Sequence, residues 1–207
     1  MILKHFVGGI YAVNAYLLAD KDSKEAIVVD PSGKIDEILE EIKTNDLSLK
    51  YIVLTHAHGD HMCALKEILS KTNTHLLINE NDKDLLLDSQ NNLSYRICKE
   101  LIELEADRYL KDGEIIKLGS KEIKIIETPG HTKGSMCLLC EDILITGDTL
   151  FAGSIGRSDL YGGDFDELDE SLNKLAKLDD EIKVFPGHGG FSTIGREKQV
   201  NPFMKGK

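Results

Sequence analysis

The chain is short of cysteine, of basic charge and of long apolar runs, and each shortage narrows what it can be. Four cysteines in 207 residues are too few for a disulfide-built scaffold, and they read as reduced thiols. Basic residues number 25 against 36 acidic ones, for a net charge of −11. A nucleic-acid backbone needs a basic face, so no nucleic-acid partner is expected, and the acidic excess reads as solubility. No apolar stretch reaches the roughly 20 residues needed to cross a bilayer. The stretch Met1 to Gly9 lacks the charged-then-apolar layout of a signal peptide. A cytoplasmic protein that uses no membrane is the expectation.

What is present is an ordinary globular composition, 41% apolar and 29% charged. A chain of this length buries roughly 70–75% of its unfolded surface without staples. With no low-complexity linker and no short repeat, residues 1–207 read as one domain. Strands are expected in a meander over the first thirty residues, including Tyr11 to Ala19 and Glu25 to Asp30. Ile35, Ile38, Leu39 and Ile42 recur at helical spacing and predict a helix over Gly33 to Thr44. Further strands are expected at Tyr51 to Leu54, His75 to Asn79, Glu114 to Leu118, Glu122 to Glu127, Ser135 to Leu139, Ile143 to Thr146 and Lys183 to Phe185. Helices are expected over His61 to Lys71, over Asp82 to Leu87 and along Leu168 to Leu178, and residues 88–112 give no clear pattern. Strands followed by a helix occur twice, so two similar halves are plausible, with two sheets face to face and helices outside.

Four metal-competent side chains lie within Thr55-His56-Ala57-His58-Gly59-Asp60-His61, directly after the apolar run Tyr51 to Leu54. Crowded imidazoles and carboxylates are costly to desolvate unless a cation pairs with them. His131, in Pro129-Gly130-His131, Asp148, in Gly147-Asp148-Thr149, and His188, in Pro186-Gly187-His188, each follow a strand-like run. A lone histidine is more often a surface or hydrogen-bonded core residue. Five of seven gathered at strand ends beside acids are not, and they point to a metal site. His5 and His75 lack that context and read as ordinary strand residues. Cys137 and Cys140 have the spacing of a metal or redox pair, but three positions apart on a strand they point to opposite faces. Cys63 reads as packing at a helix start.

The order His-x-His-x-Asp-His, then His, Asp and His, resembles the metallo-β-lactamase fold hydrolases over almost the whole chain, and most closely the glyoxalase II-like branch in its short bacterial form. The resemblance implies an α/β fold, the αββα sandwich, with the metals at one edge between the sheets. Seven candidate ligands exceed what one tetrahedral zinc takes and suit two ions. By resemblance, His56, His58 and His131 hold the first, Asp60, His61 and His188 the second, and Asp148 bridges them. The cofactors implied are two divalent ions per chain, zinc first and iron or a mixture second. The implied reaction is hydrolysis of a thioester of a small thiol by a hydroxide held between the ions, with Asp60 and Asp148 as the catalytic carboxylates.

Recognition of the substrate is expected in the loop Phe151 to Gly163. Arg157 stands out as one of only four arginines, able to hold an anionic tail or to pair with Asp159, and Lys133 is a second candidate for such a tail. The expected partner is a small-molecule thioester, and the chain a monomer or homodimer. It departs from the well-known glyoxalase II enzymes in two places: it ends soon after its last ligand, and Arg157-Ser158 stands where they carry a Lys-aromatic pair. The rival reading is a mononuclear iron persulfide dioxygenase, which the stretch Gly156 to Asp159 resembles; a β-lactamase-type or other ester hydrolase ranks below it.

Overall fold

A computed structural model describes residues 1–207. Its first half builds a sheet in the order β1 (Ile2–Gly8), β2 (Val13–Ala19), β3 (Glu25–Val29), β4 (Ser48–Val53), β5 (His75–Asn79) and β6 (Arg108–Leu110). The first three strands form an antiparallel meander, and β3 through β6 run parallel. The parallel steps require crossovers. These carry α1 (Ile35–Thr44), α2 (Gly59–Met62) with α3 (Leu65–Thr72), and α4 (Lys83–Leu86) with α5 (Ser94–Ile97).

The second sheet has the order β14 (Ser192–Thr193), β13 (Lys183–Pro186), β10 (Ile143–Gly147), β9 (Met136–Cys140), β8 (Lys121–Glu127), β7 (Ile115–Leu118). It is antiparallel except where β10 meets β13. A small hairpin of β11 (Leu150–Phe151) and β12 (Ser154–Ile155) follows β10, and α6 (Phe165–Leu175) and α7 (Ile194–Val200) complete the chain.

Three apolar layers hold these elements together. Tyr16, Leu18, Ile27 and Val53 of the first sheet meet Ile123, Ile125, Leu138 and Ile145 of the second. Leu17, Val28 and Ile52, on the opposite face of the first sheet, pack under Ile38 of α1 and Ile68 of α3. Cys137, Leu144 and Val184 pack under Leu172 and Leu175 of α6. Alternate residues thus enter different layers, and a strand buried on both faces reads as a continuous apolar run, as β2 does. The sandwich is the expected αββα arrangement. Cys137 and Cys140 do lie on opposite faces of β9, one in each layer.

Several expectations need correction. The helix expected over His61 to Lys71 is two helices, broken at Cys63 and Ala64. Strand β6 and helix α5 occupy the stretch that gave no pattern. The four cysteines are not all thiols: Cys63 and Cys98 form a disulfide with Cα atoms 5.2 Å apart. Cys63 therefore does more than pack. The physical reason is long-range. Residues 88–103 fold back over α2, where Gly59 N donates to Asn92 O at 2.7 Å. That approach requires a glycine, because a Cβ on Gly59 would sit 2.7 Å from Ser94 Cα.

Candidate metal centre

The seven predicted ligands converge at the carboxyl ends of four strands. His56 and His58 leave β4, and Asp60 and His61 ride on α2, the short helix that follows. His131 follows β8, Asp148 follows β10 and His188 follows β13. The first sheet positions the last of these: Asn14 N donates to Gly187 O at 2.7 Å, and the Tyr16 hydroxyl donates to Pro186 O at 2.6 Å. Gly187 admits no side chain, since a Cβ there would lie 2.3 Å from Asp148 Oδ1.

Outward hydrogen bonds fix which ring nitrogens face inward. Thr55 Oγ1 donates to Asp30 Oδ2 at 2.7 Å, so at 3.1 Å it accepts from His56 Nδ1. His61 Nδ1 donates to Asp30 Oδ2 at 2.9 Å, His131 Nδ1 to Arg157 O at 2.6 Å and His188 Nδ1 to Tyr11 O at 3.1 Å. A neutral imidazole has one N–H, so in their neutral form all four rings turn a lone pair at Nε2 toward the centre.

The inward atoms then crowd one another. His131 Nε2 lies 3.2 Å from His56 Nε2 and 2.9 Å from His58 Nδ1. His61 Nε2 lies 3.1 Å from Asp148 Oδ1, yet both atoms are buried without a hydrogen-bond partner. His188 Nε2 is 3.3 Å from Asp60 Oδ2 and 3.5 Å from Asp148 Oδ2. Facing lone pairs repel unless a cation lies between them, and donors of this kind suit a divalent metal. His56, His58 and His131 form one trio of converging donors, Asp60, His61 and His188 another, and His56, His61 and Asp148 link them. The residues therefore fit the ions that the resemblance implies. The outward partners, Asp30 above all, are the groups that orient metal-bound imidazoles elsewhere.

Electrostatics divide the centre. Burial, reinforced by His61 and His131, holds His56 well below its ordinary value, and burial with His131 pushes His58 down to about 3. Burial opposes a charge on His61, but Asp148 and Asp30 overcome it and hold that ring well above its ordinary value. His188 is likewise raised, to about 9, against burial by the carboxylates of Asp148 and Asp60 beside it. Burial would protonate Asp148, yet His61 and His188 hold its carboxylate well below the usual range.

The centre opens into a cavity of about 590 Å³. Tyr11, Leu93, Ile97, Phe151 and Leu160 give it an apolar wall, and Arg96 and Arg157 line it as well. Lys133 does not reach it; that side chain lines a small recess with Asp82 and Tyr161. The Arg157 guanidinium is engaged with Asp159, Nε to Oδ1 at 2.6 Å and Nη2 to Oδ2 at 2.8 Å. His5 and His75 lie on strands β1 and β5, outside the cluster.

Sequence reading missed Asp30, Asp82 and Arg96. Asp30 follows β3 as the ligands follow their strands, and that placement was the available signal. Asp82 is buried and ties the two ligand loops, accepting from Ala57 N, Thr132 Oγ1 and Gly134 N at 2.9, 2.8 and 2.7 Å. Burial raises its pKa despite these donors. Nothing local marked Arg96.

The family model of the metallo-beta-lactamase superfamily matches residues 8–188. The chain is 36% identical over 200 residues to the hydroxyacylglutathione hydrolase GloC of Haemophilus influenzae, covering 94% of this chain and 93% of that one. The BLEG-1 B3 metallo-beta-lactamase superposes with a TM-score of 0.90 at 34% identity, over 99% of this chain and 100% of the other. TTHA1623 in a di-iron-bound form superposes with a TM-score of 0.84 at 29% identity, over 97% of this chain and 99% of the other.

Proposed function

The chain belongs to the metallo-beta-lactamase superfamily, and we propose that within it this protein is a two-metal hydrolase of thioesters of small thiols, in the glyoxalase II-like branch. One observation carries the two-ion reading: both donor trios are complete, and the oxygens of Asp148 reach each of them, 3.1 Å from His61 Nε2 and 3.6 Å from His131 Nε2. The likeness to GloC supports the thioester class. Zinc ranks first as the metal, and the likeness to a di-iron protein keeps iron beside it.

His56, His58 and His131 would hold one ion, Asp60, His61 and His188 the other, and Asp148 both. Bound there, such ions supply Lewis acidity toward a carbonyl oxygen and make a water acidic enough to ionise near neutrality. The remaining work falls to the chain. Asp148 stays ionised and fixes the separation of the trios. The Asp60 carboxylate, at the cavity edge, can take the proton of an attacking water. Asp30 keeps the His61 lone pair aimed inward. Leu93, Ile97 and Leu160 shield the reacting carbonyl from bulk water. The substrate is a small molecule, the expected assembly a monomer or homodimer, and the expected compartment the cytoplasm.

The test is metal content together with hydrolysis of S-lactoylglutathione by anaerobically purified protein. About two metals per chain with thiol release is the expected result. A single iron, no thiol release and oxygen uptake with a persulfide would replace this reading with the dioxygenase one.

A further inference from the structure

The four arginines of this chain divide three to one. Arg157 is bound to Asp159, Arg108 to Glu114, and Arg196 lies 3.6 Å from Glu197. Arg96 alone has no carboxylate within 4.0 Å, in a chain with 36 acidic residues to choose from. It also makes no side-chain hydrogen bond. Its side chain lines the same cavity as Asp60, His131 and Asp148. An unpaired guanidinium at the mouth of a cavity in a protein of net charge −11 is a local reversal of sign.

Its base is held in place. Arg96 lies in α5, between the apolar wall residues Leu93 and Ile97. Asn92 pins that segment by donating to Leu85 O and Ile102 O at 3.2 and 2.9 Å. The Cys63–Cys98 bridge ties it to the chain just after α2, which carries Asp60 and His61. The backbone from which the guanidinium extends is therefore held in place relative to the reacting centre.

We propose that Arg96, and not Arg157 or Lys133, is the anion anchor of this cavity. It holds an oxyanion group of the substrate, a carboxylate or a phosphate, at a distance from the carbonyl that reacts. The inference rests on the hydrolase reading and names its substrate class: thioesters bearing an oxyanion remote from the scissile bond. The guanidinium fork matches either anion through two parallel N–H bonds. The apolar wall on which it stands takes the uncharged part of the same molecule.

The test uses metal-loaded protein and three thioether analogues that cannot be hydrolysed. They share one body and end in a carboxylate, a phosphate or a neutral amide. Dissociation constants are measured by calorimetry for the native protein, Arg96→Ala, Arg96→Lys and Arg157→Ala, with melting temperatures to verify folding. Arg96→Ala is expected to weaken at least one anionic analogue by about tenfold or more while leaving the amide unchanged, and Arg96→Lys to recover part of the loss. The anion that suffers more identifies which source the site reads. Unchanged affinity of Arg96→Ala for both anions, equal weakening of the amide, or an anion-specific loss in Arg157→Ala instead would overturn the assignment. Turnover of thioesters bearing the same carboxylate or phosphate tests the hydrolase reading separately: its absence beside the expected binding pattern removes the reaction and leaves the anchor.

Discussion

His56, His58 and His131 on one side of Asp148, and Asp60, His61 and His188 on the other, are made of similar side chains in different surroundings. The first trio is all imidazole and sealed, with 1%, 3% and 3% exposure. Burial keeps His56 and His58 neutral. The second contains a carboxylate, and the side chain of His188 is 25% exposed at the cavity. Its histidines are driven toward the charged form by Asp30, Asp60 and Asp148. His56 and His58 are thus neutral donors ready for a cation, whereas the open trio needs either protons or a cation to offset its acids. The cavity reaches both trios, through His58 and His131 on one side and Asp60 and His188 on the other, but the carboxylate and the raised imidazole that face it belong to the open side.

The largest expected effect is from the residue the two trios share. Asp148→Ala should abolish thioester hydrolysis, by about a thousandfold or more, and cut bound metal on both sides. Metal analysis and turnover read this together, and retained activity would remove the shared-ligand assignment. Next come variants that separate the sides. His188→Ala should leave about one ion per chain with little change in melting temperature. His56→Ala should lower both metal content and stability, by about 2–3 kcal/mol, because it hollows a buried position. If the two variants behave alike, the distinction between sealed and open sides is wrong. Asp30→Asn should weaken metal binding by about 10–100-fold, because it disturbs the acceptor that fixes the His61 tautomer.

Much of this centre was legible because its ligands obey a local rule: each ligand-bearing segment follows a short apolar strand and carries a glycine. Asp30 obeys the same rule after β3, but a lone acid without a histidine beside it did not stand out. The face reading of β9 held because period two is local. The α2–α3 break did not show, since the apolar spacing of Met62, Leu65 and Ile68 continues across it. Residues 88–112 were opaque for a different reason. Asn92, Gly59 and the Cys63–Cys98 bridge hold that segment through contacts with distant parts of the chain, and such contacts leave no periodic trace.

pH separates the two sides without mutation, in metal-stripped protein. His58 is depressed to about 3 and His56 well below normal, so the unfolded chain binds protons that the fold excludes. The contribution of His56 and His58 is therefore complete above about pH 6.5 and is lost as pH falls toward 3. His188 is raised to about 9, so its contribution is complete below about pH 6.5 and is lost as pH rises through 9. Stability should peak near pH 6–7. His188→Gln should flatten the alkaline limb and spare the acid one. Equal flattening of both limbs in a series of melting temperatures would mean that the trios titrate as one unit.

The smallest effect on chemistry is expected from the disulfide, which touches neither trio. Cys98→Ser opens a bridge spanning 35 positions, worth about 3–4 kcal/mol through the unfolded state. Five of the seven ligands follow strands β4, β8, β10 and β13, steadied by Asp30 and Asp82, and only Asp60 and His61, on α2, lie close to the bridge. The wall carrying Leu93 and Arg96 does depend on it. The variant should therefore melt earlier and show a higher KM for anionic thioesters, with kcat and metal content close to those of the native protein. A fall in kcat equal to the rise in KM, or loss of one ion, would show that α5 supports the open trio itself and not only the wall that faces it.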